Sequence, residues 1–347
     1  MSRAVTRRYV DPLAQVWLAA ARAVGLRVVR TPDAYASTDG RGTLAIATDD
    51  GMDADDSLAQ MIFHELCHSL VEGEESFRSP DWGMDNTGPD HDFREHACLR
   101  VQWVLTSRFG LRGVLAPTTD FRSTFWNTLT GDVLADRDDK SVQLAILALR
   151  RAEKHPWAPH LLNALEASER IARVVVHNAT TSASPDDASL WTDVTPWRPP
   201  HPTGLPTGET QATCGDCAWR YTARGKLRCR QADITIEAAW PSCERFEATL
   251  DCQTCGACCR EAYHSVEVQQ RDPAVKKQPD YIVDRGTYLE IKRCGDRCAA
   301  LHGGEVTEGR QQRFHCVIYD DRPRTCREFT LGSEHCLTAR RRVGLSL

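Results

Sequence analysis

The sequence predicts an α+β protein: a mainly helical N-terminal domain with a small sheet, then a linker, then an irregular cysteine-rich region stabilised by metal. Three observations lead there. Apolar residues recur at helical spacing through much of the first 177 positions, interrupted by two short β-rich runs. A stretch rich in Pro, Ser, Thr and Gly follows at 178–212, with too little apolar periodicity to bury a core of its own. The cysteines are lopsided, because only Cys67 and Cys98 of the 15 precede position 213. The expected division is therefore a domain at 1–177, a flexible linker at 178–212, a four-cysteine module at 213–248 and a larger cysteine-cluster domain at 249–347.

The elements can be justified in order. Residues 11–24, DPLAQVWLAAARAV, carry helical apolar spacing, with Asp11 as N-cap, Pro12 at the first helical position and Gly25 as terminator. LRVVR at 26–30 and TLAIAT at 43–48 read as strands separated by turn residues. A helix is expected from Asp55 or Asp56 through LAQMIFHELCHSLVE to Gly73, its acidic start suiting the helix dipole. Residues 74–90 are loop-like, with Pro80, Gly83, Gly88 and Pro89, and a second long helix spans 91–108. Further helical patterns fall at 141–153 and 159–177.

An apolar fraction of 41% and a charged fraction of 26% are ordinary for a globular protein. The net charge of −5 disfavours a general nucleic-acid binder, and the Arg340–Arg341–Arg342 run reads as a solvated tail. No apolar run reaches the ~18 residues of a membrane span, and the first residues show no secretory h-region. The chain is expected to be cytoplasmic. In a reducing compartment, cysteines dense at short spacings point to metal ligation rather than to disulfides.

His64-Glu65-Leu66-Cys67-His68 reads HExxH. Residues four apart share one helix face, so both imidazoles can reach one metal, and Glu65 lies beside them as a general base. Two helix histidines with a neighbouring glutamate would give the same string, but the flanking apolar residues Met61-Ile62-Phe63 and Leu70-Val71 provide a buried side. With TLAIAT just upstream, the segment resembles the zincins. The HExxHxxGxxH continuation is absent, since Val71 stands at its glycine and Glu74 at its third histidine. The helix at 91–108 offers His91, Asp92, Glu95 and His96. Glu95 in FREHACLR looks like the third ligand of glutamate-liganded zincins, with His91 and His96 as alternatives. The aspartate often found four residues later is Leu99 here. The resemblance implies Zn2+ at this site. Cys67 and Cys98 fall on the same two helices and are expected to pack as small hydrophobes.

Cys214, Cys217, Cys229 and Cys243 form a compact four-thiolate set, suited to zinc or an Fe–S cluster. The surrounding residues are too polar for a core, so a metal would contribute folding free energy. Cys252-x-x-Cys255-x-x-Cys258-Cys259 is a rarer pattern, followed by Cys298, HCVIYDDRPRTCREF with Cys316 and Cys326, and GSEHCLTAR with Cys336. Residues 250–342 thus resemble the zinc- or iron-chelating cysteine-cluster family with the CxxCxxCC motif (YkgJ-like). The ligands the resemblance implies are Cys252, Cys255, Cys258, Cys259, Cys298, Cys316, Cys326 and Cys336. Cys294 is extra to the pattern, and 302–313 looks like an insertion. Adjacent cysteines point in different directions, so eight thiolates can serve one cluster with spares or two metals. Arginines around Cys316 and Cys326 either stabilise a negative cluster or are surface charges.

These features support a zinc-dependent, peptidase-like hydrolase acting on a protein or peptide, with Glu65 as its catalytic base and the cysteine region as an attached zinc or Fe–S module. The alternatives are a non-hydrolytic metal-binding protein for redox, sensing or metal handling, and an Fe–S enzyme that modifies proteins or peptides. Neither GxGxxG nor GxxxxGK[ST] is present to support a nucleotide-dependent reaction.

Overall fold

The computed structural model of the protein describes residues 9–84, 92–117, 119–178, 189–194, 200–208, 210–307 and 310–347. Its architecture is mixed α+β, with small separate sheets. The chain divides into two compact units, the first comprising 1–133 and 148–198 and the second 134–147 and 199–347.

The first unit opens with α1 (Pro12–Val24). The Asp11 carboxylate accepts from the Leu13 and Ala14 amides, and Gly25 closes the helix at φ 104°. A three-stranded sheet follows, ordered β1 (Arg27–Thr31), β3 (Thr43–Ala47), β2 (Ala36–Thr38). β1 and β3, the two runs legible in the sequence, pair in parallel, with β2 antiparallel on the other side of β3. Helix α2 is Leu58–Glu72, beginning after the expected acidic start, and no acidic residue lies in its first turn. Ser57 wins as N-cap because Gln60 three residues on completes a reciprocal capping box. At the other end Arg151 donates 2.6 Å bonds to the carbonyls of Leu70 and Val71, groups a helix terminus leaves unpaired.

The stretch read as loop at 74–90 contains helical turns at Glu74–Arg78 and Asp81–Gly83. Helix α3 is Asp92–Phe109, followed by the short α4 (Phe121–Thr124), α5 (Lys140–Ala152) and α6 (His160–Asn178). α2 packs against both α1 and α3. Trp17, fully buried, donates to Ser168 at 3.1 Å and lies 4.8 Å from the Phe63 ring, tying α1 to α6 and α2. The sequence of α2 explains its central place, since every residue from Ala59 to Val71 is buried.

In the second unit, β4 (Arg220–Ala223), β5 (Lys226–Cys229) and β6 (Ile234–Thr235) form an antiparallel meander. Then come α7 (Cys252–Cys255), β7 (Glu267–Val268), α8 (Pro273–Lys277), β8 (Ile282–Asp284) and β9 (Leu289–Ile291), with β9 central to a second antiparallel sheet. Short pairs follow: β10 (Arg293–Cys294) with β11 (Arg297–Cys298), β12 (Leu301–His302) with β15 (His315–Cys316), and β13 (Val306–Thr307) with β14 (Arg310–Gln311). Helices α9 (Arg324–Glu328) and α10 (Glu334–Arg342) complete it.

The stretches 213–248 and 249–347, expected as separate modules, share a buried cluster that includes Cys217, Trp219, Cys336 and Leu337. Glu247 accepts from the Trp219 indole at 2.8 Å and is paired with buried Arg340, whose Nε donates to Ser346 at 3.0 Å. Part of the stretch read as linker also joins this unit. Thr207 bridges Cys243, and the amides of Gly208 and Glu244 close bonds across the same seam. Backbone pairing therefore orders a segment whose side chains alone supply little apolar surface. Among the described residues, no helix is long and apolar enough to cross a membrane.

Candidate metal centre

The i, i+4 spacing on α2 turns His64 and His68 to one side, and their Nε2 atoms stand 3.0 Å apart. Two nitrogen ligands of tetrahedral zinc stand about 3.4 Å apart at ordinary bond lengths, so only a few tenths of an ångström separate the pair from that spacing. Both rings are buried. Burial, assisted by His64, pushes the His68 imidazole down to about 3, which keeps it in the neutral form a metal requires.

α3 supplies the facing residues. Glu95, Cys98 and Gln102 fall at i, i+3 and i+7, one face of that helix. The Glu95 carboxylate lies 3.4 Å from His68 Nε2 and 3.7 Å from His64 Nε2. Burial pushes its pKa upward, the response of a carboxylate taken from water without a full counter-charge. Cys98 stands on the other side of the His64 ring, its Sγ 3.9 Å from Nδ1 and 3.7 Å from the His64 carbonyl. His64, His68 and Cys98 each offer a ligand atom within 4.8 Å of the others and form a group able to hold a metal ion.

The choice between Glu95 and Cys98 turns on the His64 tautomer. Gln102 donates its amide to the Leu115 carbonyl at 2.7 Å, so its Oε1 faces His64 Nδ1 at 2.9 Å and must accept from it. The His64 lone pair is thereby left on Nε2, the atom that faces His68 and Glu95. Cys98 shares the hydrogen-bonded side, and burial raises its thiol well above the ordinary range. Among the described residues, two buried atoms, His68 Nδ1 and Glu95 Oε1, have no hydrogen-bond partner. The donor set and the orphaned carboxylate oxygen fit a divalent cation held by His64, His68 and Glu95.

Glu65, next to His64 in the chain, is 8% exposed and accepts from the Trp82 indole at 2.7 Å. Trp82 reaches it from a turn in which Asp81 (φ 47°) and Trp82 (φ 59°) both adopt the left-handed backbone region, unusual for such residues. That turn is fastened to β2, with the Thr38 amide donating to Asp81 at 3.0 Å. Of the alternatives, His96 is stacked on Phe125 at 3.8 Å with its edge toward Phe121, and His91 lies outside the described residues.

The first cysteine set is gathered by short elements. Cys214 opens a helical turn that Cys217 caps, Cys229 ends β5, and Cys243 forms the bridge to Thr207. All four are buried and line one cavity together with His201. Burial and the neighbouring thiols push Cys214 up to about 11, and burial is the main cause that takes Cys243 to about 12. His201 was not singled out by sequence reasoning. Its Nδ1 accepts from the Thr203 amide at 3.1 Å, so Nε2 carries the proton, donating to the Pro241 carbonyl at 2.8 Å and standing 3.5 Å from Cys214 Sγ.

The second set is distributed over α7, the adjoining turn, β11, β15, α9 and α10. Cys255 Sγ accepts from the Ala257 amide at 3.4 Å, and Cys258 and Cys259 have their sulfurs 3.9 Å apart. Gly256, in the middle of CxxCxxCC, has φ 56°, and a Cβ there would stand 2.8 Å from the Phe314 ring. Cys294 is exposed. Among the described residues, no cysteine set draws three sulfurs within the 4.8 Å that His64, His68 and Cys98 satisfy.

No family model, curated protein or solved structure matches the chain. Fold and site together define an α+β protein with a buried group able to bind a metal ion and many further thiols.

Proposed function

We propose that the protein is a zinc-dependent hydrolase, peptidase-like in its chemistry, that carries a zinc- or Fe–S-binding cysteine module. The observation that carries this reading is the convergence of His64 Nε2, His68 Nε2 and the Glu95 carboxylate within 3.0–3.7 Å, beside Glu65. His64, His68 and Glu95 would hold the ion. Bound there, zinc would supply Lewis acidity to activate water near neutral pH. Glu65 takes up the proton of the attacking water, and Trp82 holds its carboxylate in one orientation. Gln102 fixes the tautomer of His64. The resemblance of 250–342 to the CxxCxxCC family supports a second metal-binding region in the same chain.

Glu65→Gln tests the catalytic assignment. The variant should retain zinc while its turnover of a peptide library falls at least about 100-fold, the usual contribution of a general base. Zinc retained with unchanged turnover removes Glu65 from the chemistry. One observation favours a non-hydrolytic reading: Glu65, His64 and His68 are each at most 8% exposed, as suits an ion held for structure or transfer. That reading predicts bound zinc and no peptide cleavage by the unaltered protein.

A further inference from the structure

The strand pairs β12–β15 and β13–β14 are successive parts of one antiparallel ladder in a single register. The Val317 amide bonds the Ala300 carbonyl at 2.9 Å at one end, and the Gln312 amide bonds the Glu305 carbonyl at 2.9 Å between the two pairs. Successive side chains of a strand point to opposite faces, so the ladder has two. One is apolar: Leu301 stands opposite Cys316, and Leu301 and Phe314 are buried in a cluster against which Cys316 packs. The other carries His302 directly opposite His315, and both are exposed. Their ring centres lie 5.6 Å apart, with the planes inclined at 47°.

We propose that His302 and His315 form a solvent-facing bis-imidazole site for a borderline divalent ion such as zinc or nickel, separate from the α2 histidines and from the cysteine sets. Two imidazoles bound to one tetrahedral ion at about 2.0–2.1 Å have ring centres roughly 5.2 Å apart. The pair stands within a few tenths of an ångström of that spacing, and small rotations of the exposed rings suffice to aim their nitrogens. Among the described residues neither imidazole makes a hydrogen bond, so no partner has to be displaced before an ion binds.

The backbone beneath the pair is fixed on both strands. Arg297 donates to the Leu301 carbonyl at 3.2 Å and also to the Gly303 carbonyl. On the opposite strand the Phe314 amide donates to the Gln253 carbonyl at 2.6 Å, and the Arg313 guanidinium reaches Asp251 at 2.6 Å. A Cβ at Gly303 would run into the Arg313 carbonyl, and one at Gly304 into the Phe314 ring. Glycines there let the strands close tightly just beyond the histidines. An ion is thereby spared the entropic cost of bringing the two rings together.

The donors select the ion. Neutral imidazole suits zinc, nickel and copper, whereas calcium and magnesium prefer oxygen. Two protein donors leave the other coordination positions to water, and the site is open to solvent. It is built to capture an ion and exchange it, unlike the buried pair on α2.

The test uses the full chain, loaded with zinc under reducing conditions and desalted so that tighter sites are filled, then titrated with Ni2+ by isothermal titration calorimetry. One further ion should bind per chain. His302→Asn and His315→Asn should each weaken that binding at least about 10-fold, a loss that even outer partners of a metal site can bring, without lowering the retained zinc. Wild-type affinity in either single variant would mean that the rings bind singly, and defeats the proposal. Zinc lost together with nickel assigns the histidines to a tighter site and defeats it too. The unaltered protein gives an independent reading. With its histidines labelled with 15N, substoichiometric Ni2+ should shift or broaden the imidazole signals of two residues, the same two whose signals the variants lack. A response from other histidines only, or from none, overturns the site.

Discussion

In the first unit the candidate ligands stand on long helices, whereas in the second most of the cysteines sit on strands of two to four residues and short helical turns. Cys336, on the nine-residue α10, is the exception. α2 has its own capping box, a guanidinium on its terminal carbonyls and a buried face along nearly its whole length. Its histidines are positioned by packing. The short elements of the second unit cannot persist by local propensity. They enclose thiols that raise one another's pKa, and Arg293 and Arg322 each keep a buried nitrogen without a hydrogen-bond partner among the described residues. On the proposed reading, the first arrangement builds a site before an ion arrives, whereas the second would need the ion to bring its chain segments together.

The strongest way to break that contrast is to remove metal. Chelation under reducing conditions should abolish amide-exchange protection across residues 213–347 while leaving α2 and α3 protected. Structural zinc contributes about 10–16 kcal/mol in small thiolate modules, far more than such a unit has in reserve. Retained protection in the cysteine unit would mean that the buried network around Glu247 and Arg340 suffices without ions.

A smaller effect sharpens the other half. Gln102→Leu removes the acceptor from His64 Nδ1 and should weaken zinc binding about 10- to 100-fold, measured by competition with a chelating dye, with α2 still helical by circular dichroism. Unchanged affinity would place control of the tautomer elsewhere. The smallest effect tests whether α2 depends on its own cap. Ser57→Ala should lower the stability of the first unit by about 1 kcal/mol in urea denaturation and leave the metal content of the cysteine unit unchanged.

The same contrast explains what the sequence disclosed. Helical periodicity fixes spacing, so α2, α3 and the shared side of His64 and His68 were legible, while Glu95 was reached only through the zincin resemblance, beside His91 and His96. Gln102 could have been found as well, because it lies seven residues after Glu95 on the same face. Trp82 could not, since its contact with Glu65 depends on a strained turn that no periodicity announces. Asp55 and Asp56 suit the helix dipole, yet the Ser57–Gln60 box sets the start of α2 two to three residues later. His201 was hidden in a stretch whose composition reads as linker but whose backbone pairs with 241–244. The cysteine motif itself was plain. The neighbours of each thiol were not, because two-residue strands leave no pattern in sequence.

The two histidines of α2 are held unequally: His64 by Gln102 on its far nitrogen, whereas His68 Nδ1 has no hydrogen-bond partner among the described residues. An ion bound between them would therefore have a fixed side and a hinged side. The slow step of its escape should be rotation of the His68 ring, and a hydrogen-bond acceptor introduced near His68 Nδ1 should lengthen the ion's residence time.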